Sequence, residues 1–136
     1  MINPQNPVLL YVEDEVRSRR VMQMMAASID ITHLTIFEDS QNFMERVKAL
    51  DPQPEVIFLD IHLMPLNGFE MLALLRATPQ YQTTPIVAMT ASVMSEEIYQ
   101  LRTAGFNGCI SKPIDLDTFP DSLRRICEGE TIWRIV

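Results

Sequence analysis

The chain has 136 residues, enough for one domain, and 47% of them are apolar, enough for an ordinary buried core. Eighteen Asp and Glu against 11 Lys and Arg give a net charge of −7, which repels phosphate backbones and anionic lipid and argues against nucleic acid or a membrane surface as a direct partner. No apolar run reaches the roughly 18 residues of a membrane span, and the first sixteen positions lack the Lys or Arg of a secretory signal. Cys109 and Cys127 form neither a disulfide framework nor a CxxC pair, so the expected location is a reducing cytoplasm.

Taken in chain order, five short apolar runs alternate with segments of helical period. Val8-Leu9-Leu10-Tyr11-Val12 reads as the first strand, and Val21, Met24, Met25 and Ser28 then mark the buried stripe of the first helix. Leu34-Thr35-Ile36-Phe37 is the second strand, followed by a helix with Phe43, Val47 and Leu50 inward, started by Asp39 and closed by Pro52 and Pro54. Val56-Ile57-Phe58-Leu59 is the third strand. A loop over Met64-Pro65-Leu66-Asn67-Gly68, with Asn67 as a cap, leads to a helix burying Met71, Leu72 and Leu75. Ile86-Val87-Ala88-Met89 is the fourth strand. Its helix carries Ile98 and Leu101, starts at Ser95 with Glu96 and Glu97 in the first turn, and stops at Gly105. Cys109-Ile110 is the fifth strand, and the last helix buries Phe119, Leu123, Ile126 and Cys127 before Gly129. That helix is expected to begin near Thr118, because Pro120 is harmless in a first turn and disruptive deeper in.

Continuous rather than alternating apolar runs suit parallel strands covered on both faces. Five βα units with short connections predict an α/β fold, a doubly wound five-stranded parallel sheet with five helices. Residues 1–129 make the domain, and residues 130–136, with Trp133 among Ile132, Ile135 and Val136, form a tail that packs on its own domain or docks on a partner or a second copy.

In such a sheet, ligands bind beyond the carboxyl ends of the strands. Glu13-Asp14 follows strand one, Asp60 strand three and Thr90 strand four, while strand five leads through Ser111 to Lys112-Pro113. Each residue has an ordinary explanation alone: an acidic first turn, a turn Asp, a strand Thr, a solvated loop Lys. Their placement on successive strand ends is not explained that way. Three carboxylates gathered on one rim call for a cation, and carboxylate and carbonyl oxygens suit Mg²⁺. An aspartate there can attack phosphorus to form an acyl phosphate, with Lys112 and the Thr90 hydroxyl offsetting the developing charge.

The motifs Tyr11-Val12-Glu13-Asp14-Glu15, Phe58-Leu59-Asp60-Ile61-His62-Leu63-Met64-Pro65-Leu66-Asn67-Gly68, Ala88-Met89-Thr90-Ala91 and Ser111-Lys112-Pro113-Ile114 stand in this order. Over residues 7–128 the chain resembles the receiver domain of two-component response regulators. The resemblance implies the flavodoxin-like strand order 2-1-3-4-5. It implies Asp60 as the phospho-acceptor, Asp14 as a direct Mg²⁺ ligand, Glu13 as a ligand through water, and His62 as a ligand by its backbone carbonyl. It also implies Thr90 as the switch hydroxyl, a phosphoryl contact from the Ala91 backbone N–H, Lys112 as the phosphate-pairing lysine, and a cis bond to Pro113. The implied donor is a phosphohistidine on a sensor histidine kinase or a histidine phosphotransfer protein. The implied output is a protein-binding surface presented to a downstream target, not an enzyme reaction on a metabolite.

One residue departs from the family pattern. Receivers commonly carry an aromatic residue three positions before the lysine, where its rotamer couples to the switch hydroxyl; here that residue is Cys109, which cannot swing a ring between two pockets. Phe106 and Tyr99 are the nearby candidates to substitute. Two alternatives follow: a receiver-like interaction module that works without phosphorylation, and a small Mg²⁺-dependent phosphatase of the haloacid-dehalogenase type. The latter wants an acid where this chain has His62. His33, His62 and the cysteines fit no zinc spacing, and the nine methionines read as core filler. A chain this short is expected to act without an output domain of its own, and homodimerisation is left open.

Overall fold

The computed structural model describes residues 2–92 and 94–134. In chain order it comprises β1 (Leu9–Val12), α1 (Val16–Ser28), β2 (Leu34–Phe37), α2 (Phe43–Lys48), β3 (Val56–Asp60), α3 (Gly68–Arg76), a 3-10 turn (Pro79–Tyr81), β4 (Ile86–Thr90), α4 (Ser95–Ala104), β5 (Gly108–Ser111), α5 (Phe119–Cys127) and β6 (Ile132–Arg134). The strands form one parallel sheet in the order β2-β1-β3-β4-β5-β6. Among the described residues no helix is long and apolar enough to cross a membrane.

Because side chains alternate across a strand, the sheet feeds two cores. Leu10, Val12, Ile57, Leu59, Ile86, Ala88 and Cys109 face α2, α3 and α4, where Phe43, Val47, Met71, Leu75, Ile98 and Leu101 meet them. Leu9, Tyr11, Val56, Phe58, Val87, Met89 and Ile110 face α1 and α5 through Met22, Met25, Phe119, Leu123 and Ile126. Helices on both faces are what continuous apolar strands require.

The helix ends follow the local chemistry in most places. Asn67 caps α3 in a reciprocal pair with Glu70. Gly105 closes α4 at φ +104°, and Gly129 follows α5 at φ +94°, backbone that side chains rarely adopt. Pro120 lies in the first turn of α5, which starts at Phe119.

Three expectations are corrected. The sheet has six strands, not five: Ile132–Arg134 of the expected tail pairs with β5, placing Ile132 beside Gly108 and Trp133 beside Cys109. Ile132 is buried by this pairing, and the close approach depends on Gly108, where a Cβ would collide with the Ile132 carbonyl. Ile135 and Val136 of that tail, and Met1, lie outside the described residues. In α1 the inward arc is Met22, Met25 and Ala26; Met24 is 59% exposed, as are Met64 and Met94 more fully, so core filling describes only some of the methionines. Asp39 does not cap α2, which starts after Asn42. It accepts instead from the Gln41 N–H and from Arg46, closing a turn ahead of the helix.

Candidate functional site

Parallel register brings the strand ends to one rim. Val12 lies opposite Leu59, so the next residues, Glu13 and Asp60, emerge side by side, and Thr90 at the end of β4 pairs with Ser111 of β5. The Lys112 N–H donates to the Thr90 carbonyl at 2.9 Å, which carries the β4–β5 pairing one residue further. The Lys112–Pro113 peptide is cis.

One carboxylate oxygen from each of Glu13, Asp14 and Asp60 lies within 4.8 Å of the others. Glu13 and Asp60 are buried and Asp14 is exposed, so the group opens to solvent on one side. Lys112 Nζ sits 2.9 Å from Glu13 Oε1 and 3.5 Å from Asp60 Oδ2. Glu13 is held by further donors: the Tyr11 hydroxyl to Oε1 at 2.7 Å and the Glu15 N–H to Oε2 at 3.2 Å. Asp60 Oδ1 accepts the His62 N–H at 3.1 Å.

These contacts set opposite acidities on neighbouring carboxylates. Burial, and then the adjacent Glu13, push the Asp60 pKa up to about 6, against the pull of the His62 N–H and Lys112. Burial acts on Glu13 in the same direction, but hydrogen bonds with Asp60, Lys112 and Tyr11 outweigh it and hold Glu13 below its usual value. Burial and the Glu13 charge push the Tyr11 phenol far up, keeping it a neutral donor. Lys112 is raised, because its carboxylate partners outweigh its own desolvation.

Three carboxylates against one ammonium leave two negative charges on a half-open cluster of hard oxygens. That donor set and charge deficit fit a divalent cation of the Mg²⁺ type. His62 itself is exposed. No His or Cys joins a metal-binding group among the described residues.

Thr90 is buried, with both hydroxyl contacts in its own loop: it accepts the Ser92 N–H at 3.0 Å and lies 3.3 Å from the Ser92 carbonyl oxygen. Ala91, exposed, lines a cleft with Glu15, Lys112 and Pro113. The acids and the lysine therefore meet, while the threonine is committed elsewhere. Cys109 is fully buried in β5. Of the two aromatic candidates near it, Tyr99 is 71% exposed, and Phe106 packs edge-on against Phe69 in the core.

Several supporting residues escaped the sequence reading. Tyr11 reads as a core apolar residue, yet its hydroxyl reaches Glu13, two residues further along the same side of the chain. Ser40 accepts the Leu66 N–H and donates to the Leu66 carbonyl, both at 2.7 Å, pinning the loop after β3. Gly68 lets α3 start against that loop: a Cβ would come within 3.1 Å of the Asp60 carbonyl oxygen.

Residues 9–124 match the response regulator receiver domain family. The chain is 30% identical to the nitrate/nitrite response regulator protein homolog of Haemophilus influenzae over 91% of its own length and 58% of that protein. It is 29% identical to the osmosensing histidine protein kinase SLN1 of Saccharomyces cerevisiae over 92% of this chain, but it spans only 10% of that kinase. The receiver domain of the sensor histidine kinase PA1611 from Pseudomonas aeruginosa, solved with magnesium coordinated in its active-site cleft, superimposes with a TM-score of 0.78 at 23% identity, covering 90% of this chain and 98% of that one. Fold, ordered strand-end residues and family match agree: the chain belongs to the response regulator receiver domain family, which serves phosphorelay signalling.

Proposed function

We propose that Asp60 accepts a phosphoryl group from a phosphohistidine on a sensor histidine kinase or a histidine phosphotransfer protein, and that the acyl phosphate switches a protein-binding surface. The observation that carries this reading is the Asp60 carboxylate itself. It is buried, oriented by the His62 N–H, faced by Lys112 at 3.5 Å, and set within a cluster of two further acids. The domain so proposed covers residues 1–129, its sheet extended by β6 from the segment that follows, and is a switch rather than an enzyme acting on a metabolite.

In the transfer, an Asp60 oxygen attacks phosphorus, the P–O bond forms as the P–N bond breaks, and the donor imidazole leaves as a neutral ring after taking up a proton. Lys112, already beside Asp60, offsets the charge that gathers on the phosphoryl oxygens. Asp14 and Asp60 would hold Mg²⁺ directly, with the His62 carbonyl. Glu13 would act through water, since Tyr11, Lys112 and the Glu15 N–H already occupy its oxygens. Bound there, Mg²⁺ supplies the positive charge that lets the acids and a phosphoryl group share one site. Phosphorylation adds about −1.5 to −2 charge and three acceptor oxygens. Thr90 then exchanges its Ser92 contacts for a phosphoryl oxygen, alongside the Ala91 N–H, and the loop after β4 repacks. Attack by water on phosphorus releases phosphate and restores the carboxylate.

Acetyl phosphate with Mg²⁺, followed by intact-mass spectrometry, is expected to add one phosphoryl group to the wild type and none to Asp60→Ala. Equal labelling of both would remove Asp60 from this role.

A further inference from the structure

Ser92, which follows β4 in the loop to α4, is tied in two directions. Its N–H and carbonyl engage the Thr90 hydroxyl, and its own hydroxyl donates to Glu97 Oε1 at 2.5 Å. Glu97 belongs to the first turn of α4. The helix it belongs to packs against β5, where this chain carries Cys109 instead of a ring, and after burial the Glu97 charge is the second cause that pushes the Cys109 thiol up to about 11.

The other end of α4 is engaged as well. The Arg102 guanidinium lies over the Trp133 ring, 4.2 Å from its centroid. Trp133 sits beside Cys109 in the β5–β6 register, and Cys109 sits beside Ala88 of β4. Ala88, Cys109 and Trp133 therefore form one lateral row against the α4 side of the sheet. One helix touches the loop that holds Thr90 and the strand that covers the β5 edge.

We propose that Glu97 is a positioning residue: through Ser92 it commits the Thr90 hydroxyl to its own loop, and when that tie breaks α4 carries the change through Arg102 to Trp133 and β6. The proposal rests on Asp60 as acceptor, since recruitment of Thr90 to the acceptor site is what breaks the tie. A hydrogen bond to a carboxylate in a half-buried place is among the stronger kinds, so its loss shifts the balance measurably toward the recruited arrangement. In place of a ring moving between two pockets, the chain uses a polar tie at the start of α4 and a stacked pair near its end.

The test uses beryllofluoride with Mg²⁺ as the phosphoryl mimic, with affinity read by isothermal titration. Glu97→Ala and Ser92→Ala are each expected to bind it about tenfold more tightly than wild type, the size set by one such hydrogen bond. Glu97→Gln keeps the acceptor oxygen and is expected to stay near wild type. A merely structural loss at the first turn of α4 would weaken binding or leave it unchanged, so the sign discriminates. Trp133 is the sole tryptophan, and its emission is expected to shift when wild type binds the mimic. Arg102→Ala should remove that shift without changing affinity by more than about twofold, within the scatter of an exposed contact. If both Glu97→Ala and Ser92→Ala bind with wild-type or weaker affinity, the positioning role is overturned and the Asp60 reading stands. A wild type that binds with unchanged Trp133 emission overturns the route to β6. A wild type that forms no beryllofluoride complex overturns both the Asp60 reading and this one, and favours an interaction module that works without phosphorylation.

Discussion

Asp60 and Glu13 show how one environment can prepare a carboxylate for chemistry and its neighbour for support. Both are buried, yet Glu13 collects Tyr11, Lys112 and a backbone N–H, while Asp60 has the His62 N–H and a longer contact to Lys112. The folded pKa of Asp60 is about 6, above the ordinary 3.8. The folded state therefore binds this proton more tightly than the unfolded chain does. The group's contribution to stability is full at low pH and is lost as pH rises from about 4 through 6. In metal-free buffer above that window, Asp60→Asn is expected to unfold at higher urea than wild type, by roughly 1–2 kcal/mol, with the gain shrinking as pH falls toward 4. Saturating Mg²⁺ should reverse the order, because a ligand bound only by the folded wild type stabilises it. Equal stability at pH 8 without metal would show that Asp60 is not desolvated. At this scale the acids and Lys112 were legible because polar residues directly after apolar runs can only lie at strand ends. Tyr11 and the Ser92–Glu97 bond were not, since one reads as core and the other depends on the path of a loop.

At the scale of elements, β6 is the main addition to the sequence reading. The first, third and fourth strands announce themselves as continuous apolar runs between helical stripes, while β2, interrupted by Thr35, and β5 stand in the right places between helices. Three residues after a helix show no periodicity, and nothing local marks Ile132–Arg134 as a strand. What admits it is two glycines: Gly108 on the neighbouring strand, which lacks the Cβ that would meet the Ile132 carbonyl, and Gly129, three residues before β6, which turns the chain out of α5. The buried stripe of α1 misled because Met22, Met24 and Met25 are equally apolar, and only packing turns Met22 and Met25 inward and leaves Met24 exposed. Gly108→Val is expected to unseat β6 while leaving the other five strands paired. Burial of Ile132 would be lost, costing about 1–3 kcal/mol in urea unfolding, and Trp133 emission would move to the red as its ring meets water. Unchanged emission would mean that the strand tolerates a side chain there and that β6 does not depend on the glycine.

At the scale of the whole molecule, the parallel sheet explains why residues 13, 14, 60, 90 and 112 share one rim although the chain between them supplies most of the core. Each strand delivers its terminal residue to the same edge, and helices on both faces keep that edge as the open polar surface. The net charge of −7 places this rim in a protein that repels other anions. Lys112 and a dication are accordingly what make a phosphoryl group welcome there. The central claim is that this rim forms an acyl phosphate on one particular carboxylate among three that lie within 4.8 Å of one another. It is tested most directly by treating the protein with acetyl phosphate and Mg²⁺, reducing the adduct with borohydride, and mapping the peptides by mass spectrometry. The account predicts homoserine at position 60 alone, dependent on Mg²⁺; reduction at Glu13 or Asp14 instead, or at no carboxylate of the rim, would contradict it.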